Sequence, residues 1–271
     1  MSLWSALRLE ALFIIALLLP LLVQLGVLYL VSRALWALSG RAIGRAGWAL
    51  LALVGVPAHE LSHAIAFWLT GAGVQRMVLF APRGLPEFDG AAGVVIPARP
   101  PSTFSRLVAS VAPFFGCSFA AWLVLAALLP NFTVSTNLPA VSLEGALGPA
   151  VSGVFSAYLG GLVAAITQLN WGDWQTFLAV YLGASLGMGA APSTEDLKRF
   201  FPALAIFLLL LVPVFALLQA AAQPDAVLAT ARQVLSHVLL PVGMALTYAT
   251  VFAVIILAVL LVLSPLRRLG R

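Results

Sequence analysis

The sequence predicts an all-α polytopic membrane protein with about seven transmembrane helices and a small β-hairpin-like segment after the second. Three observations carry this. Hydrophobic residues make up 62% of the 271-residue chain and charged residues only 8%, whereas a water-soluble domain carries about 25% charged residues. The apolar residues fall into seven stretches long enough to cross a bilayer, which takes about 20 helical residues. One segment, residues 71–102, departs from that pattern with short β-prone runs and turn residues. These features exclude a globular water-soluble fold and place residues 1–271 in a single integral membrane domain.

The first stretch, 11–38, is over-long for one upright span, which implies either a tilt or an end near Arg33. Its length, with Arg8 and Glu10 before it, reads as a true first span rather than a cleavable signal core. The second, 48–70, reads WALLALVGVPAHELSHAIAFWLT. After it, residues 74–80 and 93–97 are β-prone and are separated by the Pro- and Gly-containing residues 82–90, which suggests a hairpin with a long turn. The segment is too apolar for an ordinary exposed loop. A re-entrant or interfacial hairpin fits, its backbone groups satisfied by protein or water.

The third stretch, 104–129, holds Cys117, the only cysteine. No internal disulfide and no Cys-based metal cage is therefore expected, and Cys117 reads as a small packing residue. The fourth and fifth, 149–169 and 174–192, are rich in Gly, Ala and Ser. Small residues let helix backbones approach closely, so this pair is expected in the bundle interior. An interfacial turn with aromatic anchors joins them at 170–174, and Gln168, Asn170 and Asp173 beside it are polar candidates without an assigned role. The sixth and seventh stretches are 200–221 and 236–263.

The net charge of +5 does not point to nucleic acid, because the basic residues stand at the ends of apolar runs. The positive-inside rule puts Arg33, Arg41 and Arg45, the Lys198–Arg199 link and the tail arginines Arg267, Arg268 and Arg271 on one cytoplasmic side. Arg76, Arg83, Arg99 and Arg106 then fall on the other. The expected location is a prokaryotic-type cell membrane, crossed several times.

The chemistry lies in the second stretch, where His59, Glu60 and His63 are the only ionisable side chains. Helix positions four apart share a face, so both imidazoles can point at one metal ion. Glu60 is placed to take a proton from a metal-bound water. Composition alone would give such a run in roughly one chain in a thousand of this make-up, so it reads as a motif. Ionisable groups at membrane depth are costly and usually functional. Two neutral histidines hydrogen-bonded between helices would leave the glutamate unexplained.

A catalytic zinc takes three protein ligands. His237, in the last stretch, is the only other histidine. Glu195 and Asp196, in the acid motif at 192–200, open the sixth stretch and are the better candidates. Ser193 followed three residues later by Asp196 resembles a capping box, and acids suit the positive end of a helix. The cap and a ligand role can coexist. Pro57 suits the first turn of a helix restarting there, which would put both ligand sets near helix N-termini.

These residues resemble the site-2 protease family of intramembrane zinc metalloproteases. The likeness consists of the HELSHA run within a span, the apolar hairpin-like segment after it, a further span and a late acid-bearing motif, over roughly residues 48–129 and 185–210. It implies one Zn2+ ion held by His59, His63 and Asp196, with Glu60 as general base. It also implies hydrolysis of peptide bonds in membrane-protein or membrane-peptide substrates within the lipid bilayer. The acid stands in Pro192-Ser-Thr-Glu-Asp196 where the best-known members have Asn-Pro…Leu-Asp-Gly. An extra span precedes it and no PDZ module interrupts the chain, which marks a divergent, compact branch. The alternative readings are a membrane metal-handling or transport protein, and an inactive relative that binds membrane clients. A transporter usually shows several intramembrane polar sites or repeated halves, and neither is clear in the sequence.

Overall fold

A computed structural model describes residues 22–39, 42–88, 91–129, 162–198 and 245–263, with isolated positions between 152 and 160, between 200 and 209, and at 242 and 243. Most of these residues are helical. Helices α1 (Leu22–Ser39), α4 (Thr103–Leu128) and α8 (Ala245–Leu263) are each long and apolar enough to cross a membrane. The pair α2 (Gly44–Ala52) and α3 (Gly55–Leu69) passes the same test as one span bent by 43°. Helix α6 (Trp174–Ala190), with 17 residues, covers most of the fifth expected stretch. Among the described residues, 162–167 (α5) and 194–198 (α7) are also helical. Residues 11–21, 210–221 and 236–241, with His237 among them, and most of 149–161 lie outside the described residues.

Large apolar side chains stay exposed along the helices, among them Leu50 and Leu69 of the bent pair, Phe119 of α4 and Val262 of α8. In water such a surface would be a liability; in hydrocarbon it is the ordinary outer face. The buried core lies between α3, α4, α6 and α8 and includes Phe252, Leu186 and Cys117. Cys117 is a free, fully buried packing residue. Polar bonds pin the outer elements to α8. Gln24 Nε2 donates to Thr247 Oγ1 at 2.7 Å, and Tyr248 Oη donates to Gln168 Oε1 at 2.8 Å.

The break between α2 and α3 has a local cause and a satisfied backbone. Leu53 N–H turns back to Leu50 O, and the Gly55 N–H donates to Ser185 Oγ of α6 at 2.9 Å. Pro57 sits in the first turn of α3, where its missing N–H costs nothing. The sequence placed the restart at Pro57; the helix begins two residues earlier because α6 supplies the acceptor for Gly55.

The hairpin is present. Strands β1 (Val74–Val78) and β2 (Val94–Pro97) pair antiparallel, with Met77 opposite Val95 and an irregularity between Val74 and Arg76. Gly71 and Gly73, both at positive φ, turn the chain from α3 into β1. At the base, Arg99 N–H donates to Ala72 O; at the far end, Arg45 Nη2 donates to Arg83 O at 3.3 Å. The hairpin therefore runs back beside the bent pair towards the start of α2. This departs from the charge reading, which set Arg83 and Arg45 on opposite sides; Arg76 of β1 also reaches the far end, pairing with Glu87 at 2.7 Å.

Candidate metal centre

The two histidines project from one face of α3, one turn apart, with ring centroids 4.7 Å apart. Their Nε2 atoms are 3.1 Å apart. His59 Nε2 is 3.6 Å from Asp196 Oδ2, and His63 Nε2 is 3.6 Å from Asp196 Oδ1. Of the two acids the sequence left open, only Asp196 reaches the rings. Glu195 is exposed and bound to Lys198 at 2.7 Å. Among the described residues, His59, His63 and Asp196 are the group able to hold a metal ion.

Asp196 is fixed before any ion arrives. Its Oδ2 accepts from Ser193 N–H at 3.0 Å and from Ser193 Oγ at 2.6 Å, while its own N–H donates back to Ser193 Oγ at 3.1 Å. This is the reciprocal cap the sequence suggested. The cap leaves Oδ1 facing His63, so capping does not prevent a ligand role.

The rings are oriented from behind. His59 Nδ1 is 2.6 Å from Gly189 O, and His63 Nδ1 is 2.9 Å from Ala109 O. A carbonyl oxygen can only accept, so each Nδ1 carries the proton and each Nε2 presents a bare lone pair. Two bare nitrogens and a carboxylate turned towards one point repel one another. A cation among them removes the repulsion and engages all three donors. Ligand atoms around a tetrahedral zinc with bonds of about 2.0–2.1 Å stand about 3.3 Å apart, close to the separations here. The donor chemistry and spacing fit a zinc-sized ion.

Both carbonyls are available because helices are interrupted beside them. In α4, the N–H that would bond Ala109 O belongs to residue 113, and Pro113 has none. In α6, Gly189 lies in the last turn, where carbonyls lack intrahelical partners. The N–H four residues on, that of Ser193, goes instead to Asp196. Sequence reasoning gave Pro113 no role and read Gly189 only as a small residue for close helix packing, not as an acceptor. A proline inside a long apolar helix, one turn after a carbonyl, was the available signal for the first.

Glu60 is buried, beside His59 in sequence. Its carboxylate accepts no hydrogen bond from a described residue, so its oxygens are free for water. The hairpin passes it at Gly93, where a Cβ would lie 2.9 Å from Glu60 Oε1. Only glycine lets β2 come this close. On the opposite side, Gly55 and Gly189 bring the backbones of α3 and α6 into contact. A cavity of about 860 Å3 opens over His59, Glu60, His63 and Asp196 and extends along residues 91–95 and the inner face of α1.

Gln168, Asn170 and Asp173 are not part of this site. Gln168 holds Tyr248, and Asn170 Nδ2 donates to Asp173 Oδ2 at 2.8 Å within the turn before α6. No protein-family model, curated protein or solved structure matches this chain.

Proposed function

We propose that the protein is an intramembrane zinc metalloprotease of the site-2 protease type, hydrolysing peptide bonds of membrane-embedded substrates. The observation that carries the reading is the convergence of His59 Nε2, His63 Nε2 and the Asp196 carboxylate, with Glu60 beside the first ring and a cavity in front. This arrangement has the parts that hydrolysis needs.

A bound zinc ion would supply the Lewis acidity that activates a water near neutral pH and polarises the scissile carbonyl. Glu60 takes the proton from that water as it attacks, and passes it to the leaving amine as the C–N bond breaks. Its freedom from other hydrogen bonds suits both transfers. Gly189 O and Ala109 O hold the imidazoles in the tautomer that leaves Nε2 for the ion. Strand β2 pairs with β1 on one side only, among the described residues, and its residues 94 and 95 border the cavity. An unwound substrate segment laid along that edge would be recognised mainly through its backbone. The setting that fits is a chain of about seven spans crossing a prokaryotic-type cell membrane, with residues 1–271 acting as one domain.

The test is Glu60→Gln in the full-length protein. Zinc content stays at the parent level, and cleavage of membrane substrates across a broad panel falls by at least about 100-fold. Normal turnover in that variant would rule out Glu60 as the base.

A further inference from the structure

The cavity is far larger than a metal ion and a water require, and one of its walls has no part in the chemistry above. Tyr29, Ser32, Arg33, Trp36 and Ala37 of α1 line it. Their spacing is that of a single helix face. Arg33 is the one Lys or Arg in the lining; the acids Glu60, Glu195 and Asp196 stand on other walls. Arg33 is an exposed residue in the last two turns of α1, where a guanidinium can meet an occupant of the cavity. Its guanidinium lies 5.9 Å from the Tyr29 ring, and no described carboxylate pairs with it. Ser32, next to it, is buried, and its hydroxyl has no hydrogen-bond partner. Elsewhere in the helices Ser62, Ser118, Thr247 and Thr250 each donate to a carbonyl one turn back. Ser32 is an exception to that habit, at the cavity wall.

We infer that Arg33 and Ser32 form a carboxylate-binding subsite, which receives an acidic group of the peptide substrate (a C-terminal carboxylate or an Asp or Glu side chain). The inference rests on the protease reading. The charge pattern orients the occupant, because the α1 wall carries the one Lys or Arg of the lining while the acids Glu60 and Glu195 stand on other walls. A charge-assisted hydrogen bond from a guanidinium is among the stronger polar contacts, and Ser32 would complete it. The group's distance from Glu60 then selects which peptide bond is cut.

The test uses full-length protein in nanodiscs and three fluorescent peptides of one apolar sequence. One ends in a free carboxylate, one carries an Asp and a C-terminal amide, and one is neutral throughout. Binding is measured on Glu60→Gln, so it is read apart from turnover, and cleavage on the parent. One acidic peptide is expected to bind about tenfold more tightly than the neutral one, and which one identifies the source of the carboxylate. Adding Arg33→Ala removes that advantage by weakening the acidic peptide alone, and adding Ser32→Ala reduces it. Equal binding of all three peptides overturns the subsite, as does an Arg33→Ala variant that weakens acidic and neutral peptides alike. An effect of Arg33 that follows anionic against zwitterionic lipid, whatever the peptide, assigns the guanidinium to a lipid phosphate and also overturns it. Acid-selective binding with no cleavage by the parent would contradict the protease reading while supporting the subsite.

Discussion

His59 and His63 stand one turn apart on the same helix, yet the walls behind them are built differently. Behind His59, the acceptor is Gly189 O, a carbonyl left over where α6 ends. Behind His63, it is Ala109 O, a carbonyl in the interior of α4 that Pro113 has freed. The α6 wall also supports Asp196, because the Ser193 N–H that could have satisfied Gly189 O binds the carboxylate instead. Among the three candidate ligands, the bond from the α4 wall described here goes to the His63 ring. A buried imidazole needs an acceptor for Nδ1–H, and a regular helix has no spare carbonyl in its interior. The two walls meet that need in two ways, by ending a helix and by interrupting one.

The α6 wall should be the less tolerant. Gly189→Leu sets a side chain against the Gly55 backbone, moving α3 off α6 and disturbing His59, Asp196 and the start of α3 together. Zinc affinity should fall by about 100-fold or more, with a lower melting temperature. The α4 wall should fail more selectively. Pro113→Ala restores an N–H that competes for Ala109 O, so zinc affinity by chelator competition should fall roughly 10–100-fold. Thermal stability should hold or rise, since an interior proline costs a helix about 3 kcal/mol. Unchanged zinc affinity there would show that the proline serves the helix and not the site. The smallest effect on metal comes from the third side of the site. Gly93→Ala crowds Glu60 without touching a ligand, so turnover should drop about tenfold at constant zinc content.

Much of this was legible in the sequence, for reasons that differ by residue. The spacing of His59 and His63 is a property of the helix itself, so the motif alone put both on one face. The resemblance chose Asp196 over Glu195, but the residues by themselves left the choice open. Adjacent helical residues point about 100° apart, and only the placement of α7 shows which one turns inward. The cap at Ser193 favoured neither over the other as ligand. The hairpin was readable from its β-prone runs and turn residues, although β1 stops at Val78, short of Phe80. Gly189 was read as one of the small residues that let helices approach, but its spare carbonyl, like the roles of Gly93 and Pro113, went unread because each contributes only space or a free acceptor. Neither is visible without knowing which helix lies opposite. Of the seven expected spans, α1, α4 and α8, with the α2–α3 pair taken as one, correspond to four, and α6 with 17 residues covers most of a further stretch.

The central claim is that two imidazoles of α3 and the Asp196 carboxylate hold one zinc ion. X-ray absorption at the zinc edge, on the full-length protein and on Asp196→Ala and Glu195→Ala, tests it most directly. The expected result is one zinc per chain with two imidazole nitrogens and a carboxylate oxygen at about 2.0–2.2 Å, the carboxylate and most of the metal lost in Asp196→Ala and both retained in Glu195→Ala. Equal zinc with an identical coordination shell in the two variants would contradict the claim.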